Sequence, residues 1–311
     1  MQRIKMRKVF SAALAALLII SLCACFFVGA EETLAIEQPE KEPDAFAGIE
    51  FSYDPETKTL TVFGSGDMPS CVNGAPWYPV AINAEKLVVS EGITAIGSYA
   101  FSSMSALAEI ELPSGIRSIG MMAFYNTYFY NLAENRTGGA LYISVSDEEK
   151  YLIDAEPAVG LTYTVEQGTV LIADNAFEGC ASINTVTVPE GVKYIGDCAF
   201  RGCVQLRRID LPKTVIEIGE RATVACEKLT SVRYAGSPKA FAAVSILEGN
   251  DALRNATLKC SESDESDETT AAPQSPSYTS PFSGCGSFSY GAFVAAVAVA
   301  VVAAFVIIKK K

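Results

Sequence analysis

The chain has 311 residues, with 24 Lys and Arg against 36 Asp and Glu, a net charge of −12 and no histidine. Seven of the cations (Arg3, Lys5, Arg7, Lys8 and Lys309 to Lys311) sit at the two ends, which leaves 17 against 36, near −19, for everything between. So acidic an interior repels phosphate backbones and speaks against nucleic acid as a partner; lacking histidine, the chain has no Ser-His-Asp or Cys-His catalysis and no His-ligated metal.

The chain opens on a basic stretch, Met1 to Lys8, followed by an uncharged apolar run from Val9 to Phe27 and the small residues Gly29 and Ala30 before Glu31. This is the pattern of a secretory signal peptide cleaved after Ala30. A retained anchor and lipoprotein processing at Cys25, through the loosely matching Leu22-Cys23-Ala24-Cys25, are the alternatives. Residues 31–45 read as a linker.

From residue 84 onward the chain repeats itself. Ile110–Phe124 aligns with Val186–Phe200, and Leu87–Phe101, Tyr163–Phe177 and Ile209–Thr223 fit the same template, with Thr223 in place of Phe. The Ile of its Ile-Gly step falls at 96, 119, 172, 195 and 218, giving intervals of 23, 53, 23 and 23. Such a period marks stacked units, each too small to close a core alone. Within a unit, Leu206-x-x-Ile209-x-Leu211 alternates like a short strand. Pro113, Pro189 and Pro212 stop the strands. Gly120, Gly196 and Gly219 are assigned to a tight corner, and the Ala-Phe-x-x-Cys segment to a turn or short helical return. Strands are therefore expected at 86–89, 109–112, 162–165, 185–188 and 208–211. Leu141–Val145 is read as the strand of one degenerate repeat after an insertion near 128–160, all in a single stack. Phe101, Phe124, Phe177 and Phe200 should be buried, one per repeat.

After residue 260 the composition changes. Residues 261–287 carry an acidic run and then Ser, Thr and Pro, too polar to bury anything, and read as a stalk. Phe288 to Ile308 is uncharged and ends at three lysines. About 20 apolar residues span a bilayer core, and trailing cations stay in the cytoplasm. The segment is therefore expected to be a C-terminal transmembrane helix with 309–311 inside the cell and the repeats outside. Anchor processing that would discard this tail is the less favoured reading.

The repeat motif, [Ile/Leu]-Pro-x-x-[Val/Ile]-x-x-Ile-Gly-x-x-Ala-Phe-x-x-Cys-x-x-Leu, running from 84 to about 232, resembles that of the BspA-like leucine-rich repeat surface proteins. The flanks resemble the family too: Thr59–Pro69 with Ala75-Pro76-Trp77 looks like its N-terminal cap (46–83), and Tyr234–Ser237 with Gly249–Thr257 like its C-terminal cap (233–260). The resemblance implies an α/β solenoid of leucine-rich repeats, capped at both ends, for adhesion or for protein or glycan recognition, without catalytic residues or cofactors.

Residues that look chemical have plainer readings. Cys180, Cys203 and Cys226 lie 23 apart, one equivalent position in three units, and read as small buried apolar side chains. Pairing of Cys71, Cys198 or Cys260 stays open. Leu211-Pro-Lys-Thr-Val215 departs from a sortase signal at its last residue and lies mid-repeat. Glu109 with Glu111 would be the only suggestion of a carboxylate hydrolase, and no motif supports it. The candidate partner-binding face is the outward side of the strands, on the concave surface that solenoids use. One row is Lys86, Glu109, Thr162, Thr185, Arg208 and Ser231; the other is Val88, Glu111, Thr164, Thr187, Asp210 and Arg233. The favoured function is non-catalytic recognition of a protein or glycan on a cell, matrix or envelope surface; a ligand-free envelope spacer is the alternative.

Overall fold

The computed structural model describes residues 46–157 and 159–263, all within one compact unit. The expected signal peptide, linker, membrane span and tail, and the stalk beyond residue 263, lie outside the described residues. Among the described residues no helix is long and apolar enough to cross a membrane.

Each regular unit is a coil with one strand on a front sheet, a shorter strand on a back sheet, and a run of turns that returns to the front. The 23-residue register is met residue for residue: Thr185 pairs with Arg208, Arg208 with Ser231, and Ile172 with Ile195 and then Ile218. These pairings are parallel, as stacked coils of one hand require. Proline follows three front strands as expected: Glu109–Glu111, Thr185–Thr187 and Arg208–Leu211 stop before Pro113, Pro189 and Pro212.

The single stack is not what forms. The front strands divide into two sheets, Ile49–Asp54, Thr59–Gly64, Lys86–Val89 and Glu109–Glu111 in one, and Thr162–Thr164, Thr185–Thr187, Arg208–Leu211, Ser231–Tyr234 and Thr257–Cys260 in the other. The segment read as a degenerate front strand, Ala140–Ser144, lies instead on the back, in a hairpin antiparallel to Lys150–Ala155. Its physical role is visible in its burial. Leu141, Ile143, Tyr151 and Ile153 pack into the N-terminal core, whereas Ala140, Tyr142, Leu152 and Ala155 pack into the C-terminal one. Strand side chains alternate between faces, so a hairpin apolar on both faces becomes a wall between two cores. A front strand of the repeat needs one solvated face, and this one has none to offer.

The helical return is corrected as well. In every regular coil the Ala-Phe segment is a series of turns, and among the described residues helices occur only outside it, at Tyr78–Ala81, Tyr128–Asn131, Pro238–Ala242 and Asp251–Asn255, with one 3-10 turn at Ala133–Asn135. Two residues per coil adopt left-handed backbone, at the third and seventh positions after the buried Ile: Tyr99 and Ser103, Met122 and Asn126, Asn175 and Gly179, Cys198 and Gly202, Arg221 and Ala225. A helix cannot run through such residues. Most of them are held by the neighbouring coil: Tyr99 N–H donates to Met121 O at 3.1 Å, Asn175 N–H to Asp197 O at 2.9 Å and Cys198 N–H to Glu220 O at 2.8 Å.

Gly120, Gly196 and Gly219 are not the corner residues either, since none has positive φ. They are small because the preceding coil touches them: a Cβ on Gly196 would lie 2.4 Å from Asp174 Oδ1 and 2.6 Å from its N.

Phe101, Phe124, Phe177 and Phe200 are at most 1% exposed. They form two rows of stacked rings. Trp77, Phe101 and Phe124 stack at 5.2 and 5.6 Å, and Phe177 and Phe200 at 5.2 Å. Trp77 serves as the first rung, its Nε1 donating to Ala100 O at 3.0 Å. At the other end Thr223 takes the ring's place, and its N–H and Oγ1 donate to the buried Asn250 Oδ1.

Candidate ligand-binding surface

The candidate rows exist in register but are cut in two by the hairpin. In the N-terminal front sheet Thr59, Lys86 and Glu109 form one row, and Thr61, Val88 and Glu111 the other. In the C-terminal sheet the rows are Thr162, Thr185, Arg208, Ser231 and Thr257, and Thr164, Thr187, Asp210, Arg233 and Lys259. Among the described residues no front strand lies between Glu109–Glu111 and Thr162–Thr164, so the twelve predicted residues make two patches.

The patches differ electrostatically. Lys86 Nζ lies 2.5 Å from Glu111 Oε1 and 3.6 Å from Glu109 Oε2, so the two carboxylates considered for hydrolysis share one ammonium. In the C-terminal sheet Arg208 and Asp210 pair at 3.0 Å. Arg233 and Lys259 stand side by side in register, both exposed, and neither forms an ion pair among the described residues. Thr257 and Lys259 extend the rows by one strand beyond the repeats counted in the sequence; the exposed Thr-x-Lys of residues 257–259 was their signal.

The cysteine column is internal. Cys203 and Cys226 each donate Sγ–H to the carbonyl of the preceding coil's Phe, at 3.1 Å, and Cys180 reaches Glu156 O at 3.6 Å. Burial pushes the thiols up, to about 12 for Cys180 and about 11 for Cys226, and raises Cys203 as well. Such thiols are poor nucleophiles and poor ligands. A second column runs beside it: Asp174 Oδ1 accepts Asp197 N–H at 2.9 Å, and Asp197 Oδ1 accepts Glu220 N–H at 2.6 Å. Burial, and next the charge of Asp197, hold the Asp174 carboxyl well above its ordinary value, against the Asp197 N–H that favours ionisation.

One concave site was not foreseen. At the junction of the two blocks a cleft of about 460 Å³ is lined by Met121, Met122, Phe124, Tyr125, Tyr130, Arg136, Ile153 to Pro157, Asp174, Asn175 and Glu178 among others. Its origin is a shortened coil. Leu152 pairs with Ile172 as the Ile of a unit would, and Ala155 N–H donates to Ala176 O at 2.7 Å, the bond that Phe101, Phe177 and Phe200 make in regular coils. In those coils the Phe stands five residues after the Ile, whereas Ala155 stands three after Leu152. Two residues and a phenyl ring are missing, and the cleft is the space they leave. In its wall Asp154 Oδ2 accepts from Tyr130 Oη at 2.9 Å and from Arg136 Nη2 at 3.1 Å. Burial raises the Asp154 carboxyl, and these two donors pull it back. Arg136 also lies 5.1 Å from the Tyr130 ring centroid, and its Nη1 is buried with no acceptor among the described residues.

A family model described as a BspA type leucine rich repeat region matches the chain in six copies, over residues 79–136 and 164–261. The chain belongs to that family. The unmatched interval, 137–163, holds the whole hairpin, where the period fails. Among solved structures the chain is similar to a leucine-rich repeat protein from Eubacterium ventriosum, with 19% identity over 61% of this chain and 70% of that one and a TM-score of 0.27. It is also similar to a leucine-rich cell surface protein from Faecalibacterium prausnitzii, at 15% identity over 65% and 97% with a TM-score of 0.27. A third is the pneumococcal vaccine antigen PcpA, at 15% over 63% and 66% with a TM-score of 0.31. None of the curated proteins matches the chain.

Proposed function

We propose that this protein is a non-catalytic recognition protein displayed outside the cell, tethered by residues 288–308, and that the C-terminal front sheet is the face that meets its partner. The observation that carries the reading is the five-strand face ending in Arg233 and Lys259. In a chain of net charge −12, two adjacent exposed cations without ion-pair partners among the described residues, on a parallel sheet, are a local reversal of sign. They suit a protein or glycan presenting carboxylates or sulfates. Charge complementarity of this kind sets encounter rate and specificity.

The test uses the full-length chain against candidate cell surfaces and matrix. Arg233→Glu with Lys259→Glu should weaken binding by about tenfold or more, and the wild-type interaction should fall with added salt. Binding that ignores both changes places the site elsewhere. The short Thr and Ser side chains of the face favour a second reading, an envelope spacer, which expects no saturable binding by the wild-type protein at all.

A further inference from the structure

The two ends of the front face are alike in being open and opposite in charge. Among the described residues Ile49–Asp54 is the first strand of the N-terminal front sheet and Thr257–Cys260 the last of the C-terminal one, each paired on one side only. The last strand shows that a neighbour is missing. Val186, Ile209 and Val232, at the centre of the preceding strands, are at most 1% exposed, whereas Leu258, next in their column, is 37% exposed. A coil of a solenoid buries its inner side chains against the coils on both sides, and a soluble end needs a polar cap. The first strand is also apolar on its inner face, where Ile49, Phe51 and Tyr53 are only partly buried. Open edges of this kind are templates for another chain unless charge keeps it away. Here charge works the other way. Residues 46–67 hold four Asp and Glu against one Lys, and residues 221–260 hold six Lys and Arg against three Asp and Glu, so the ends carry −3 and +3. On the edge strands these charges point to the same side. Glu50 and Asp54 pair with Phe63 and Thr59 on the outward face, and Lys259 lies beside Arg233 on that face at the other end. All four are exposed, and none is in an ion pair among the described residues.

We propose that the protein associates with itself head to tail, the C-terminal end of one copy receiving the N-terminal end of the next, with Thr257–Cys260 paired against Ile49–Asp54. Main-chain bonds join the edges, as in strand addition, and side chains on both faces select the match. Ile49–Asp54 runs antiparallel to Thr59–Gly64, whereas the pairs within the C-terminal front sheet are parallel. A front sheet continued across the junction therefore closes on an antiparallel pair, the slightly more stable kind. Outside, Lys259 and Arg233 meet Glu50 and Asp54; inside, Leu258 meets Phe51 and Tyr53. A second copy is the occupant that fits, because both halves of the junction stand on one chain with opposite signs and matching apolar rows. Pairing of like ends would set cation on cation or carboxylate on carboxylate. The contact is heterologous, so each copy keeps one free end of each kind and association continues beyond two. Lys259 and Arg233 also belong to the face proposed above to meet another partner. Self-association is read on the purified chain alone, so its absence leaves that binding standing, and absence of that binding leaves self-association standing.

The experiment is sedimentation velocity of the full-length chain in neutral detergent, from micromolar to millimolar concentration, with two charge-reversed variants. One is Arg233→Glu with Lys259→Glu. The other is Glu50→Lys with Ser52→Lys, which keeps Asp54, whose carboxylate accepts from Glu56 N–H and Thr57 Oγ1 in the following turn. The wild type should associate with rising concentration, more weakly as salt is added. Each variant alone should associate about tenfold or more weakly, since its two ends now carry the same sign. An equimolar mixture of the two should recover association, because each supplies the end that the other lacks; recovery also shows that both variants are folded. Three results overturn the proposal: a wild type that stays monomeric at every concentration, association that neither variant weakens, or variants that stay apart when mixed. Association indifferent to the variants would belong to another surface or to the detergent micelle.

Discussion

In the N-terminal block the position two residues after the buried Ile is held by Ser98 and Met121; in the C-terminal block it is held by Asp174, Asp197 and Glu220. Six residues further on, the first block has Met104 and Thr127 and the second Cys180, Cys203 and Cys226. The backbone path of the coil is the same on both sides, with the same two left-handed residues and the same 23-residue pairing. In the C-terminal block the coils are tied by directional side-chain bonds, carboxylate to N–H and thiol to carbonyl. In the N-terminal block the same places are filled by methionine, by Thr127 bonded within its own coil, and by the longer row of rings. Shape sets the fold here, and the chemistry between coils is free to vary as long as each buried polar group finds a partner.

The largest effect that would sharpen this comparison is loss of a ring. Phe200→Ala should cost about 3–5 kcal/mol in urea denaturation, because the cavity is closed on both sides, by Phe177 and by Thr223 with Asn250. Phe124→Ala should cost less, at or below about 3 kcal/mol, because the space merges with an existing cleft and the site can relax. Equal losses would mean that the cleft does not border Phe124 in solution.

The next effect concerns close approach between coils, which the two blocks share. Gly196→Ala drives a methyl against Asp174, and Gly120→Ala drives one to 2.4 Å from Ser98 N. Each should cost about 1–3 kcal/mol. Gly115→Ala, with nothing within 4 Å, should stay within about 0.5 kcal/mol. A tolerated Gly196→Ala would show that the coils can slide apart and that the shared backbone is less exacting than the structure implies.

The smallest effect is a pH dependence confined to the C-terminal block. Asp174 is raised from its ordinary value of 3.8 by burial. A raised folded pKa means that folding favours the protonated acid, so the contribution to stability is full below about 3.8 and is lost as pH rises through the folded value. Asp174→Asn keeps an oxygen for Asp197 N–H and removes the titration. Denaturation midpoints of wild type and variant should coincide in acid, with the variant gaining as pH rises above 4. A constant difference across pH would deny Asp174 this role. Met121, its counterpart in the other block, offers nothing to titrate.

Periodicity was enough to read the repeating unit, its strands, its proline stops and its buried rings, because a 23-residue recurrence is a local property of the chain and stacking turns it directly into contact. The outward rows were readable for the same reason, since side chains of a strand alternate. What stayed hidden were interactions between coils and at the break. Tyr99, Ser103 and Cys198 carry no sign of left-handed backbone; the bonds that hold them come from another coil. Gly196 looks like a corner residue until Asp174 is seen beneath it. The interval of 53 residues, which is not a multiple of 23, announced an irregular coil. Whether Leu141–Val145 would form a front strand or a buried wall depended on whether both of its faces had cores to meet. That choice is made by burial on two sides at once, as is the cleft left open at its edge, and neither is a property of a segment considered alone.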